Sequence, residues 1–302
     1  MEGRDSRLAY LYLVITTSIW GSLYVVTRIA LRTIPPITLL SLRYILAFAV
    51  FAAILAARRR RGQAPKAIES GDRKYLVLVG VLGYFLGVGV QIVGTKYAGA
   101  SVASLINAMN PVCITFLAAI ILKERLTARK LVALAAAVSG AYVILGGASS
   151  GGAVLGIAFS VLSVLLWSLS SVLVRKLGDK YDPILVTAWC IGIACACSLP
   201  AAGIELALSP SEGMLSWTNL LCVLYLGVVC TALPNFLWNK SLSMVEASTC
   251  SLFYPVQPLV SVLLGVAVLG ERVDGKFIAG AVLIVGGVLF AVIGRPRKVA
   301  RN

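Results

Sequence analysis

One basic side chain, Arg43, falls inside an apolar stretch of the sequence that is long enough to enter a membrane. The stretch begins near Ile37, and neither it nor any other apolar stretch carries Asp or Glu in its middle. A fixed cation at such a depth is costly unless it has a partner. The sequence therefore predicts that Arg43 binds a carboxylate or another anionic group of a substrate. The alternative is that the long side chain reaches the outer interface and only anchors the segment.

Two short segments combine proline with amide or phenol side chains. They are Asn107-Ala-Met-Asn110-Pro111 and Tyr254-Pro255-Val-Gln257-Pro258. Proline removes a backbone donor and opens the hydrogen-bond ladder of a helix, and a helix broken within a membrane exposes backbone groups to a ligand. We therefore expect both segments to line a cavity, with the three prolines as hinge positions and the polar side chains as substrate contacts. A kink that only shapes helix packing is the alternative.

Further candidates for substrate binding are aromatic or amide side chains within the apolar stretches. They are Trp20, Tyr24, Tyr84, Gln91, Trp167 and Trp238. Aromatic belts explain such residues near the ends of membrane spans, but Trp20, Tyr84 and Trp167 lie towards the middle. Small-molecule sites usually combine an apolar wall with a few directional polar groups. We expect a cavity of that kind, while ordinary core packing is the alternative for each aromatic residue.

The chain repeats itself at a constant offset of 147 residues. This offset relates the following residues to one another: Trp20 and Trp167, Pro36 and Pro183, Gly80 and Gly227, Asn107 and Tyr254, Asn110 and Gln257, Pro111 and Pro258, and Glu124 and Glu271. A fixed offset over many positions indicates that one half of the chain is a duplicate of the other.

The composition is that of an integral membrane protein. Hydrophobic residues make up 59% of the 302 residues and charged residues 13%, with a mean hydropathy of +0.94. A soluble domain has roughly 45–50% apolar and 25% charged residues. Runs of about 20 apolar residues predict ten transmembrane helices. They cover approximately 8–31, 37–57, 75–95, 98–122, 130–146, 154–174, 184–206, 215–237, 247–269 and 277–294.

The predicted fold class is an all-α integral membrane protein of two repeats. The first repeat, 8–146, holds helices one to five, and the second, 154–294, holds helices six to ten. A basic cytoplasmic loop is predicted at 58–74 and a basic cytoplasmic tail at 295–302. The apolar segment at the N-terminus is predicted to be retained as the first helix, because it is longer than the apolar region of a signal peptide.

Lys and Arg are distributed unequally between the two sides of these helices. Of the 27, 21 lie on one side, four lie on the other, and two lie within spans. Because cytoplasmic loops carry the excess of basic residues, both termini are predicted to be cytoplasmic. Five helices in each repeat then make the repeats inverted. The net charge of +15 is interpreted as this topology signal, which is compatible with contacts to anionic membrane lipids, and not as a nucleic-acid surface.

The chain offers no constellation for metal, cofactor or covalent chemistry. It has no His, and its seven Cys lie in apolar stretches without a Cys-x-x-Cys spacing. No nucleophile is paired with a base. We therefore predict no metal, no cofactor and no enzymatic activity, and we interpret the cysteines as reduced packing residues.

A Glu-Arg pair stands between helices four and five and again between helices nine and ten, as Glu124-Arg125 and Glu271-Arg272. Thr127 and Asp274 follow these pairs as candidate N-caps. We expect a structural role in two tight helical hairpins. A gating ion pair is the alternative, although ion pairs at exposed helix ends are usually weak.

The Trp20-Gly21 pair, the intramembrane Arg43, the repeated prolines and the repeated Glu-Arg turns resemble the EamA family of the drug/metabolite transporter superfamily. The resemblance covers nearly the whole chain. It implies a ten-helix transporter of inverted five-helix repeats, with a central cavity lined by both halves, that exports small metabolites, often amino acids. The small multidrug exporters of the same superfamily depend on a membrane-embedded Glu in the first helix, which this first helix lacks.

These features predict a secondary transporter in the cytoplasmic (inner) membrane of a prokaryote that exports small metabolites such as amino acids by alternating access. The expected substrate is a small molecule that is zwitterionic or bears a carboxylate. Because titratable side chains are missing from the middle of the spans, facilitated diffusion or exchange is favoured over proton coupling. The alternative function is a flippase or scramblase for lipids or other amphiphiles. The oligomeric state is not indicated by the sequence.

Overall fold

The computed structural model describes residues 2–121, 123, 128–147, 150–177, 180–209, 211–242, 250 and 253–293. Every regular element within these residues is a helix, so the all-helical fold class is confirmed. The turn at Glu124-Arg125, its candidate cap Thr127 and the predicted basic tail at 295–302 lie outside the described residues.

The first half of the chain forms five helices. They are α1 (Glu2–Ala30), α2 (Pro36–Arg60), α3 (Ser70–Ala98), α4 (Ala100–Ile121) and α5 (Ala128–Leu145). α3 contains a π-helical stretch, Gly80–Gly87, and α4 is interrupted between Asn107 and Asn110. Gly99 separates α3 from α4 with a φ of 90°, a conformation that glycine adopts without the steric penalty of a side chain.

The second half repeats this arrangement. Its helices are α6 (Gly151–Leu177), α7 (Pro183–Leu208), α8, α9 (Val256–Leu269) and α10 (Gly275–Ile293). α8 consists of Trp217–Leu224, a π-helical stretch Tyr225–Ala232, and Leu233–Leu242. The two π-helical stretches therefore lie in corresponding helices of the two halves.

Several helices have the length and composition of membrane spans. By these criteria seven described helices, α1 to α7, are long and apolar enough to cross a membrane. Three shorter apolar stretches follow at Trp217–Ala232, Val256–Leu269 and Gly275–Phe290. Large apolar side chains also cover the outer surface, for example Tyr142 at 75% exposure and Val282 at 66%. An apolar exterior of this kind is suited to contact with lipid.

The two halves pack against each other along the whole chain. α3 packs on α6 and α1 packs on α8, while α1 also packs on α9 and α6 on α4. α2 packs on α7, and α5 packs on α10. Exchanging each helix for its counterpart in the other half leaves this set of contacts unchanged, which is the packing expected of a duplicated half.

The helix ends follow from local sequence. Pro36 and Pro183, which are related by the repeat, both occupy the start of a helix, where a missing backbone donor costs nothing. The predicted N-cap at Asp274 is confirmed, since its Oδ1 accepts a hydrogen bond from Phe277 N at 2.7 Å. The predicted basic loop is shorter than 58–74, because α2 continues to Arg60 and α3 starts at Ser70. Lys and Arg favour helices, so a helix continues beyond its apolar run.

α3 and α6 approach each other closely at two glycines. A side-chain Cβ on Gly94 would lie 3.0 Å from Ser160 N, and one on Gly156 would lie 2.3 Å from Ala98 N. At Gly156 the nearest obstacle is a backbone atom, which cannot move aside as the end of a flexible side chain can, whereas at Gly94 the Ser160 hydroxyl oxygen is nearer still, at 2.6 Å. Small residues thus bring the two halves into direct backbone contact.

Replacing Gly156 by alanine is expected to destabilise the protein by about 1–3 kcal/mol, because the added methyl group forces α3 and α6 apart. Thermal unfolding of the purified protein in detergent measures the effect. Gly203→Ala in α7 is the matched control, since its Cβ would meet no atom within 4 Å, and this variant should melt at or slightly above the wild-type temperature. Equal melting temperatures for Gly156→Ala and the wild type would contradict the close approach.

Candidate functional site

A cavity of about 130 Å³ lies where helices of both halves meet. It is lined by Trp20, Leu23, Tyr24, Arg43, Tyr44, Tyr84, Val88, Gln91, Asn107, Asn110, Ser163, Trp167, Cys230, Thr231, Tyr254 and Gln257. For comparison, a cavity of about 150 Å³ can hold one benzene molecule. The size is therefore that of a small metabolite. Arg43 is the one charged side chain among the described residues of the lining.

Arg43 lies on α2 and is almost completely buried, with 8% of its surface exposed. Its Nε donates a hydrogen bond to the hydroxyl oxygen of Thr231 at 2.9 Å. Its Nη1 is buried and has no hydrogen-bond partner among the described residues. The ion pairs found in the described part of the chain do not include Arg43. The cavity wall thus carries a buried cation without an acidic partner in that part, an arrangement that favours an anionic ligand.

The two π-helical stretches position side chains around Arg43. The Thr231 hydroxyl donates a hydrogen bond to Leu226 O, five residues earlier, at 2.8 Å. This bond fixes the position of the Thr231 oxygen, which accepts the hydrogen bond from Arg43 Nε. In the other half, the Tyr44 hydroxyl donates to Tyr84 O at 2.8 Å. Consecutive residues of α2 therefore bind the π-helical stretches of α3 and α8. Wide helical turns of this type are frequent at functional sites.

The interruption of α4 places two amides in the cavity wall. Asn110 Nδ2 donates to Asn107 Oδ1 at 2.8 Å, and Ser168 Oγ donates to Asn110 Oδ1 at 3.3 Å. Pro111, which follows directly, has no backbone N–H to offer the carbonyl of Asn107. In the other half, Pro255 caps α9 and Pro258 lies in its first turn, where helical backbone donors are unpaired in any case.

Aromatic rings form two groups that line the cavity or adjoin its lining residues. The first consists of Trp20, Trp238 and Tyr254, with ring centroids 5.3–6.5 Å apart. In the second, the Tyr84 ring lies 5.2 Å from Trp167 and 6.5 Å from Tyr44. Rings at these separations support one another and give the cavity stiff apolar walls.

The cavity is asymmetric although the two halves are related by duplication. At the offset of 147, four of its positions pair a polar residue with an aromatic or apolar one. These pairs are Arg43 and Cys190, Thr231 and Tyr84, Gln91 and Trp238, and Asn107 and Tyr254. Divergence of this kind gives the wall distinct polar and aromatic parts, as recognition of an asymmetric molecule requires.

The structure brings together most of the residues singled out from the sequence. Ten of the eleven predicted substrate contacts line the cavity, namely Trp20, Tyr24, Arg43, Tyr84, Gln91, Asn107, Asn110, Trp167, Tyr254 and Gln257. The eleventh, Trp238, is not among the lining residues, but its ring packs on Trp20 and Tyr254, which are. The lining also includes Tyr44 and Thr231, which were not predicted from the sequence. Thr231 lies 147 residues after Tyr84, a predicted contact, so the repeat could have pointed to it.

Polar contacts between the halves join α2 to α7 at both of its ends. At the end of α2, Arg58 Nη1 bonds Asp182 Oδ2 at 2.9 Å. At its start, Glu205 of α7 accepts hydrogen bonds from Ile37 N and Thr38 N at 3.1 and 2.7 Å. Two residues before Asp182, Lys180 bonds Glu69; the hydrogen bonds from Lys180 and Lys66 hold the pKa of the exposed Glu69 carboxyl below its usual value. These contacts connect the two halves outside the cavity.

A further contact between the halves lies at the turn before α10. Glu271 accepts hydrogen bonds from Ala100 N at 2.6 Å, from Ser101 N at 2.9 Å and from Ser101 Oγ. Its carboxylate thus caps the first turn of α4, where backbone donors are free and the helix dipole favours a negative charge. The sequence predicts a structural role in the hairpin before α10; the side-chain contacts of Glu271 are instead with α4 in the other half.

The described residues contain no group of three or more His, Cys, Asp or Glu that could hold a metal ion. The seven cysteines are free thiols, five of them buried. Cys230 reaches the cavity wall and lies 3.8 Å from Ile19 O.

The described residues form helices with apolar outer surfaces, and the duplicated halves surround a central cavity of aromatic and polar side chains. This is the form of a multi-pass membrane transporter. Comparison with known proteins identifies the family. The model of the EamA-like transporter family matches residues 7–146 and again residues 154–293. The chain belongs to this family, as its resemblance in sequence predicts, and its relatives are named as transporters or efflux pumps.

Several relatives match the chain over nearly its whole length. A probable amino-acid metabolite efflux pump of Escherichia coli is 27% identical in an alignment 323 residues long, gaps included, which covers 100% of this chain and 99% of that protein. An uncharacterized transporter of Archaeoglobus fulgidus is 27% identical over 283 residues, covering 94% of this chain and 98% of that protein. One solved crystal structure, 22% identical, matches with a TM-score of 0.63 over 94% of this chain and 96% of its own, and it supports the fold.

Proposed function

We propose that this protein is a secondary transporter for small metabolites that carry a carboxylate, such as amino acids. The observation that carries the proposal is Arg43, a buried cation in the wall of a central cavity whose described residues include no acidic side chain. A carboxylate is the natural partner of a guanidinium, which offers it a planar fork of donors. The similarity to probable amino-acid metabolite efflux pumps of Escherichia coli and Salmonella typhimurium supports the same substrate class and export as the direction.

The proposed topology is ten transmembrane spans in two inverted five-helix repeats, with both termini in the cytoplasm of a prokaryote and the chain in its inner membrane. The seven long apolar helices and the three shorter apolar stretches supply ten segments. The 21 Lys and Arg on one side against four on the other support the orientation. The symmetric exchange of packing contacts between the halves supports the repeat.

The proposed mechanism is alternating access, in which the two halves rock about the cavity and expose it to one side at a time. The cavity wall includes no Asp, Glu or His among its described residues. Proton-coupled carriers usually place such a group in the membrane. Facilitated diffusion or exchange down the substrate gradient is therefore the favoured mode.

Counterflow into proteoliposomes with a panel of labelled compounds tests this function. We expect saturable exchange of small amino acids, no exchange of organic cations, and no uphill accumulation when a pH gradient alone is imposed. Exchange of organic cations in preference to carboxylates would contradict the substrate class. Movement of a labelled lipid without flux of any soluble compound would contradict the metabolite carrier and favour the flippase.

A further inference from the structure

Tyr24, Gln91 and Gln257 form a hydrogen-bonded cluster in the cavity wall. Gln91 Nε2 donates to the Tyr24 hydroxyl oxygen at 2.8 Å, and Gln257 Nε2 donates to the same oxygen at 3.3 Å. The three residues come from α1, α3 and α9 and therefore from both halves. Tyr24 is 1% exposed and Gln257 is 5% exposed, so the cluster lies deep in the protein.

The cluster determines where the two amide oxygens point. Each amide directs its NH₂ group to Tyr24, and its Oε1 is consequently turned away from the phenol. Neither Oε1 accepts a hydrogen bond from a described residue. Neither is among the described side-chain atoms that are sealed from solvent without a partner, which belong to Thr16, Thr27, Arg43 and Ser170. Within the described part of the chain both acceptors are therefore unoccupied, and both glutamines line the cavity.

We propose that Gln91 Oε1 and Gln257 Oε1 bind the protonated amino group of the substrate whose carboxylate is held by Arg43. This inference rests on the proposed function. An ammonium group has three donors and no acceptor, so two amide oxygens satisfy most of its bonding capacity. The face of Trp20, also in the wall, adds a surface that attracts cations. Arg43, Gln91 and Gln257 line the same cavity of about 130 Å³, so the two poles lie within reach of one small α-amino acid.

Neutral acceptors are suited to this role because of Arg43. A carboxylate at either glutamine position would pair with the guanidinium and remove its charge from the substrate. Amide oxygens offer partial negative charge while leaving Arg43 free. The site then selects zwitterions in two ways. An organic cation is repelled by Arg43. A hydroxy acid such as lactate offers one neutral donor in place of three charged ones, so it leaves at least one amide oxygen unpaired, which a buried site penalises.

L-Alanine and L-lactate are the probes for a test, since they differ only in an amino group against a hydroxyl. Each is used to inhibit counterflow of labelled alanine in proteoliposomes. The wild type is expected to prefer alanine over lactate by at least about tenfold. Gln91→Met and Gln257→Met keep side-chain length but lack the oxygen. We expect each to reduce the preference to about threefold or less, through weaker alanine binding, with the affinity for lactate unchanged within about twofold.

Further variants separate this subsite from a merely structural cluster. Tyr24→Phe removes the hydroxyl group that orients both amides. It should weaken the apparent affinity for alanine but not that for lactate. Gln63→Met, at an exposed loop position, is the matched control and should behave as the wild type. If the Gln91 and Gln257 variants lose affinity for alanine and for lactate to the same extent, the ammonium subsite is overturned and the cluster is structural.

Measurements on the wild type alone distinguish failure of the ammonium subsite from failure of the proposed function. Equal affinities for alanine and lactate would overturn the ammonium subsite and leave the carboxylate carrier intact. Exchange of neither compound would overturn the proposed function and the subsite with it.

Discussion

Replacing Arg43 by glutamine is expected to weaken the apparent affinity for a carboxylate-bearing substrate by about 10- to 100-fold. Hydrogen bonds to charged groups contribute about 1.5–3 kcal/mol, and each 1.4 kcal/mol is a factor of ten. Arg43→Lys keeps the charge but loses the planar fork, so its affinity should fall between those of the wild type and the glutamine variant. Concentration-dependent counterflow measures all three proteins.

The stability of the same variants separates a binding role from a structural one. In the absence of substrate, the Arg43 charge is buried without an acidic partner among the described residues, so its removal should leave the melting temperature unchanged or raise it. Arg32→Gln, at an exposed position between α1 and α2, is the matched control and should change neither quantity. A glutamine variant that binds substrate normally but unfolds more readily would show that Arg43 supports the fold instead.

Replacing Glu271 by glutamine is expected to have the second largest effect, a loss of about 1–3 kcal/mol of stability. The carboxylate accepts three hydrogen bonds from Ala100 and Ser101 at the start of α4. A charged cap of this type stabilises a helix more than a neutral cap does. A glutamine retains a single acceptor oxygen and lacks the negative charge that a helix N-terminus favours.

Thermal unfolding in detergent measures this loss, and counterflow shows whether substrate binding changes with it. Glu271 does not line the cavity, so the apparent affinity of the folded variant should stay within about threefold of the wild type. Glu212→Gln, at an exposed position before α8, should leave both quantities unchanged. An unaltered melting temperature in Glu271→Gln would show that the cap does not stabilise α4.

The duplication made much of the fold and the site predictable from sequence. Pro36 and Pro183 recur at the fixed offset and directly precede the predicted spans at 37–57 and 184–206, and in the structure each begins a helix. The same offset directed attention to Asn107, Asn110, Tyr254 and Gln257, all of which line the cavity. Polar side chains in apolar stretches are few, so their positions carry much of the information about a membrane site.

Other features depend on helical register and on long-range packing, which composition does not encode. Nothing in the residues Tyr225–Ala232 indicates a π-helical stretch, and it is this wide turn that aims Thr231 at Arg43. Glu271 was recognisable as part of a tight turn, but its partners lie 170 residues earlier, on another helix. Helices such as α2 extend beyond their apolar runs. The predicted ends were too short because hydropathy indicates contact with lipid and not where backbone hydrogen bonding ends.

The most direct test of the central claim, that Arg43 recognises the carboxylate of the substrate, compares L-alanine with L-alaninamide as inhibitors of counterflow in the wild type and in Arg43→Gln. The two compounds differ in the carboxylate alone, so the four affinities form a closed cycle. We predict that the wild type prefers alanine by at least about tenfold and that the variant reduces this preference to about threefold or less. An equal preference for alanine in both proteins would contradict the claim.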